Sequence, residues 1–257
     1  MSVEINKDVL YPYLLYDSPI PYGNIILYPV LMKDILSFQL FTSSITVRKN
    51  SVFSDKKIIK MTYLDFLFYC HNNNKLSEEY KIKDLPFWYE YSYELLKLVC
   101  KDQEVLVGKE YGSFMINGIE INSDIFDVLR KIIIIQNDID FDINEFMNYE
   151  AEQALNKARN LLEKDNSTIE DYIDSYAIAT KSRNDEIMNL SIRKFNRYIK
   201  RLNMYDDYKI SMSASMSGMV TFKNPIRHWM IMLENKDRYE TVKTNSEEFN
   251  EIKDKIG

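Results

Sequence analysis

Ser113-Phe-Met-Ile-Asn-Gly-Ile-Glu-Ile121, followed almost at once by Ser123-Asp-Ile-Phe-Asp-Val-Leu-Arg-Lys-Ile-Ile-Ile-Ile-Gln136, decides the fold class. In the first stretch apolar residues flank Asn117-Gly118, a pair that tolerates φ > 0 at both central positions of a type I′ turn. An antiparallel hairpin is predicted. The second stretch is apolar at Ile125, Phe126, Leu129, Ile132, Ile133 and Ile135, nearly all round, which predicts a central core helix capped by Ser123. A strand pair feeding a buried helix implies an α+β fold.

Toward the N-terminus the pattern is mostly helical. Glu104 to Val107 adds one more β-like run, and Pro86 opens a helix over Phe87 to Cys100. Thr62 is the expected N-cap of a helix that stops at Asn72-Asn73-Asn74, where side-chain amides compete with the backbone. Leu31 to Val47 has helical spacing, and Arg48 to Lys60 reads as a polar connection. Asn24 to Val30 reads as a short strand that Pro29 places at a sheet edge. From Tyr11 to Gly23 three prolines and four tyrosines suggest an extended arm, because each proline removes a donor and pushes its predecessor out of the helical region.

Toward the C-terminus an acidic connection, Asn137 to Asn148, suggests a lobe boundary, and only helical periods follow. They cover Tyr149 to Lys164, Thr168 to Lys181 with Ser167 as cap, Asp185 to Leu202, and Met204 to Ser217, stopped by Gly218. Pro225 opens a short segment to Glu234. The expected organisation is a mixed lobe over 1–137 with a small antiparallel sheet, a helical bundle over 138–234, and a charged tail over 235–257. The fold class is α+β, predominantly helical.

Composition narrows the function. At 257 residues the chain can bury roughly 70–75% of its unfolded surface without a disulfide or metal staple. A net charge of −6, from 33 basic and 39 acidic residues, argues against a general nucleic-acid coat. The two cysteines, Cys70 and Cys100, form no C-x-x-C pair, and no signal-peptide pattern opens the chain, so a reducing compartment is expected. No uncharged apolar run, Ile132 to Ile135 among them, approaches the ~18 residues a membrane span needs, so no membrane association is expected. Tyrosine is abundant, 19 against 2 Trp. AT-rich codon usage explains this, and so does selection for surfaces that alternate between wet and buried.

No bond-making chemistry emerges from the motifs. Asp138-x-Asp140-x-Asp142 begins like a calcium loop, but Ile143 stands where the turn glycine belongs and Tyr149 where the bidentate glutamate belongs. His71 adjoins Cys70, and adjacent residues point to different faces. His228 has no second ligand nearby, so zinc spacing is missing. No glycine-rich phosphate loop and no nucleophile elbow occur. The expectation is no catalytic residue, no metal and no cofactor.

Two segments suit contacts. Arg193, Lys194, Arg197, Lys200 and Arg201 line one side of a helix, opposite Ile192, Phe195, Ile199 and Leu202. This is a solvated face over a core stripe, a surface for an acidic partner helix, or a face for nucleic acid. Ser211-Met-Ser-Ala-Ser-Met-Ser-Gly-Met219 suits a tight helix crossing or an adaptable binding face.

The stretches Ser18-Pro-Ile-Pro-Tyr-Gly-Asn-Ile-Ile-Leu-Tyr-Pro-Val, Met61-Thr-Tyr-Leu-Asp-Phe-Leu, Leu190-Ser-Ile-Arg-Lys-Phe-Asn and Ser213-Ala-Ser-Met-Ser-Gly-Met-Val-Thr-Phe resemble those of uncharacterised tail-region proteins in tailed phages of low-GC bacteria. The opening is similar to that of baseplate hub proteins, and the later helices to those of tail assembly chaperones. The resemblance implies a non-enzymatic structural protein of a phage tail or baseplate, located in the virion and bound to other tail proteins. The alternative is an assembly chaperone for a tape-measure or hub protein. Self-association is a further option. The expected contact residues are Tyr11, Tyr13, Tyr16 and Tyr22 in the arm, Arg193, Arg197 and Arg201 on the basic helix, and Met212 and Met216.

Overall fold

The computed structural model describes residues 5–109, 112–141, 143, 149–150, 153, 167–218, 220–231 and 233. The chain opens with helix α1 (Lys7–Tyr16), which corrects the expectation of an extended arm. Asn6 Oδ1 accepts from the Val9 N–H at 3.0 Å and caps the first turn. Leu10 and Leu14, one turn apart, are buried. Pro12 lies inside the helix, where a missing donor and a ring clash cost about 3 kcal/mol. Burying two leucines, at about 1.5–3 kcal/mol each, offsets that cost. The helix ends at Asp17 in the left-handed conformation, φ 57°.

Strands β1 (Ile20–Tyr22) and β2 (Ile25–Leu27) follow as an antiparallel hairpin. Its two-residue loop has φ +60° at Gly23, the first central position, as a type II′ turn requires. Gln103 completes the free edge of β2: its Oε1 accepts from the Ile26 N–H at 2.9 Å, and its Nε2 donates to the Ile26 carbonyl. One side-chain amide thereby stands in for a neighbouring strand.

A 3-10 turn (Met32–Asp34) leads into α2 (Ile35–Thr42). The expected polar connection after it instead contains α3 (Lys49–Val52) and α4 (Lys56–Lys60), which bury Asn50, Ile58 and Ile59. Helix α5 (Tyr63–Asn72) starts at Thr62, whose hydroxyl accepts from the Asp65 N–H, as expected. After the short α6 (Lys75–Tyr80) and a 3-10 turn (Leu85–Phe87), α7 (Trp88–Cys100) packs against both α2 and α5.

Strands β3 (Val105–Val107), β4 (Phe114–Ile116) and β5 (Ile119–Ile121) form a three-stranded antiparallel sheet in sequential order. Asn117 and Gly118, at φ 50° and 76°, make the type I′ turn that the sequence predicts. Helix α8 (Ser123–Gln136) is central as expected, burying Phe126, Leu129, Ile132, Ile133 and Ile134. Its cap is Asn122 rather than Ser123: the amide oxygen of Asn122 accepts from the Ile125 N–H at 3.0 Å.

Aromatic rings fill the space between α5, α7, the sheet and α8. Phe66 meets Phe53 edge-on at 5.5 Å, and Tyr89 stacks on Phe114 at 4.8 Å. Tyr63 is tied at its tip, donating to the Ser44 carbonyl at 2.8 Å and accepting from the Val47 N–H. Small antiparallel sheets in the N-terminal half and helices beyond them make the fold α+β, predominantly helical.

Asn137, where a boundary was expected, is buried and joins distant segments. Its Oδ1 accepts from the Val30 N–H and its Nδ2 donates to the Ile133 carbonyl, both at 3.0 Å. Most of the helix expected over 149–164, Asp142 and the 235–257 tail lie outside the described residues. Helix α9 (Ile169–Thr180) is capped by Thr168, not Ser167, in a reciprocal capping box with Asp171. Helix α10 (Asn184–Met188) is brief. The two helices expected over 185–202 and 204–217 are divided differently: α11 runs unbroken over Ile192–Met216 and ends before Gly218 at φ +71°.

Candidate interaction surface

The two ends of the chain's expected contact region meet where α1 stops and α11 starts. Backbone pairing anchors the junction: Ile192 N–H donates to the Val30 carbonyl at 2.9 Å, and Met32 N–H to the Leu190 carbonyl at 2.8 Å. Ser191 is fully buried. Its hydroxyl caps α11, accepting from the Lys194 N–H, and donates to Asp17 Oδ1 at 2.7 Å.

The last carbonyls of α1 lack intrahelical partners and carry the negative end of the helix dipole. Arg193 Nη1 donates to the Leu14 carbonyl at 2.8 Å, and Lys194 Nζ to the Leu15 carbonyl at 2.9 Å. Part of the basic stripe therefore acts as an internal clamp. Burial, and then the neighbouring Arg197 guanidinium, lowers the Arg193 pKa, while Asp138 and Asp17 oppose the shift.

This anchoring leaves the outer face of α1 wet and apolar. Tyr16 is 77% exposed and Tyr11 58%, with Val9 and Leu15 also exposed. Tyr13 and Tyr22 are half-buried and pack against the core. Arg197 is half-buried on the adjoining side of α11. Arg201 is committed to its own chain, donating to the Trp229 carbonyl at 2.7 Å and to the Ile231 carbonyl. Met212 is half-buried, and Met216 is 83% exposed. The structure thus groups Tyr11, Tyr16, Arg193 and Arg197 at one end and leaves Met212 and Met216 about 30 Å along the helix.

Between α2, the end of α8 and α11 lies a cleft of about 1700 Å³, lined in part by Phe38, Ile134 and Phe141. The Asp138–Lys200 ion pair at 2.9 Å sits on its wall. Residues 220–231 fold back along α11, where Trp229 meets Tyr205 edge-on at 5.2 Å and His228 meets Tyr208 at 5.0 Å. Sequence reasoning missed this return, because its contacts are aromatic pairs with no local spacing.

Both thiols are shielded from solvent. Cys70 and Cys100 are fully buried, and burial pushes both thiols up to about 12. His71 Nδ1 lies 3.0 Å from the Pro86 carbonyl. Among the described residues no group of three or more His, Cys, Asp or Glu side chains could hold a metal, and no helix is long and apolar enough to cross a membrane.

The segment that forms α9, α10, α11 and the stretch returning along α11 has a counterpart. Residues 162–234 match the YomV second domain. That family is phage-derived (Bacillus phage SPbeta-like), so the match is compatible with a phage protein. The YomV-like segment is a minority of the chain and excludes α1, both sheets and α8. No curated protein and no solved structure matches the chain.

Proposed function

We propose that this protein is a non-enzymatic structural component of a phage tail or baseplate that works by gripping neighbouring proteins. The observation that carries the proposal is the outer face of α1. Val9, Tyr11, Leu15 and Tyr16 are exposed on a helix whose other face is buried and whose C-terminal end is clamped by Ser191, Arg193 and Lys194. A rigid apolar face loses little conformational entropy on docking, and exposed tyrosines bring large contact area with few rotatable bonds. The phage-derived family match of residues 162–234 supports the setting.

Mass spectrometry of purified particles tests it. The protein should be present in mature virions, and Leu15→Asp with Tyr16→Asp should remove it from them without unfolding it. Absence of the wild-type chain from particles, with co-purification of tail proteins from infected cells, would assign it the role of an assembly chaperone instead.

A further inference from the structure

Helix α11 carries a second pattern, of period seven rather than 3.6. Phe195, Leu202, Lys209 and Met216 recur every seven residues, and Tyr198, Tyr205 and Met212 fall three residues after the first three of them. That is an a/d heptad seam, apolar or aromatic at six of seven positions. Only Phe195 is buried in the body of the protein. Tyr198 and Tyr205 remain 42% and 40% exposed despite contacts with Tyr176 and Trp229. The opposite side of the helix, at Asn196, Lys200 and Asn203, lines the cleft. The seam is centred on the side away from it, with Trp229 of the cleft wall reaching its Tyr205 flank.

We propose that this seam pairs with the same seam of a second copy, antiparallel, to form a two-fold dimer. Complementarity around the single charge favours self-pairing. Lys209 Nζ already lies 4.9 Å from the Tyr205 ring centroid and 3.9 Å from Asp206 Oδ1. An antiparallel register that sets Lys209 against Tyr205 of the second copy repeats that environment across the interface. The same register sets Leu202 against Met212 and Tyr198 against Met216, and a two-fold axis generates every contact twice. Parallel pairing would oppose Lys209 to its own copy, a like-charge layer in an apolar seam. The overlap, residues 198–216, is about 28 Å long and leaves the two bodies at opposite ends. The proposal does not rest on the tail assignment.

Sedimentation equilibrium of the full-length chain tests it. The wild type should dimerise with a Kd in the micromolar range, roughly 1–100 μM. Lys209→Leu, which removes the polar seam position, should lower Kd by about tenfold or more, and Met212→Glu should raise it by at least as much. Because the two variants move in opposite directions, misfolding cannot mimic the pattern. A Tyr198→Cys/Met216→Cys double variant should form an intermolecular disulfide that Tyr198→Cys alone does not. A chain that stays monomeric at ~200 μM, a Kd indifferent to both substitutions, or cross-linking by Tyr198→Cys alone overturns the proposal.

Discussion

Ser191 Oγ and Asp17 Oδ1, 174 positions apart in the chain, are 2.7 Å apart in the fold. The same hydroxyl caps α11 by accepting from the Lys194 N–H at 3.1 Å. One buried oxygen therefore fixes both where the last long helix begins and where the first one ends.

Ser191→Ala should remove the cap and leave Asp17 without this donor. The expected loss is about 1–3 kcal/mol, read as a lower urea midpoint. Ser191→Thr, which keeps the hydroxyl, should recover part of it. A midpoint unchanged in Ser191→Ala would mean that the backbone pairing at Val30 and Met32 suffices alone.

Arg130 is 5% exposed; its Nε donates to the Ile45 carbonyl at 2.7 Å, and its guanidinium lies 3.5 Å from the Tyr63 ring centroid. Arg130→Ala should cost about 1.5–5 kcal/mol, from the lost cation–π contact and an orphaned buried carbonyl. Arg130→Lys should recover less than half of that, since an ammonium cannot lie flat on the ring and reach the carbonyl as a planar fork does.

Thiol reactivity should follow folding. With both cysteines buried and their pKa values near 12, native protein at pH 8 should leave Ellman's reagent uncoloured, and guanidinium should release two equivalents. A thiol raised from 9.0 to about 12 keeps its proton longer in the folded state. Its stabilising contribution is complete below pH 9 and is lost as pH climbs toward 12, by about 1.4 kcal/mol per unit per thiol at most. Urea midpoints under reductant should therefore fall steeply above pH 9.

Gly118→Ala meets no steric obstacle, with nothing within 4 Å of the added carbon, yet it must hold φ +76°. The cost should be about 1–2 kcal/mol, from backbone conformation alone. Calorimetry should show a lowered Tm with an unchanged far-UV spectrum.

Elements governed by local chemistry were legible in the sequence. Asn117-Gly118 makes its turn unaided, and Thr62 and the apolar residues of α8 behave as their spacing demands. Elements decided by distant partners were not. Pro12 argues against α1, and only the burial of Leu10 and Leu14 outweighs it. The basic stripe reads equally well as a solvated or a partner face until Arg193 and Arg201 are seen holding carbonyls of their own chain. The seam on α11 was readable in principle. Its period of seven runs through Asn203, where the 3.6-residue pattern breaks.

The pairing of residues 30–32 with 190–192 also imposes an order on synthesis. At ~5–20 residues per second the ribosome needs on the order of ten seconds or more to travel from one partner to the other. Until then the nascent N-terminal helix can settle on α8 but lacks Arg193 and Lys194 to hold its terminal carbonyls. Premature stop codons anywhere before the clasp should yield products that proteases clear rather than shorter working forms.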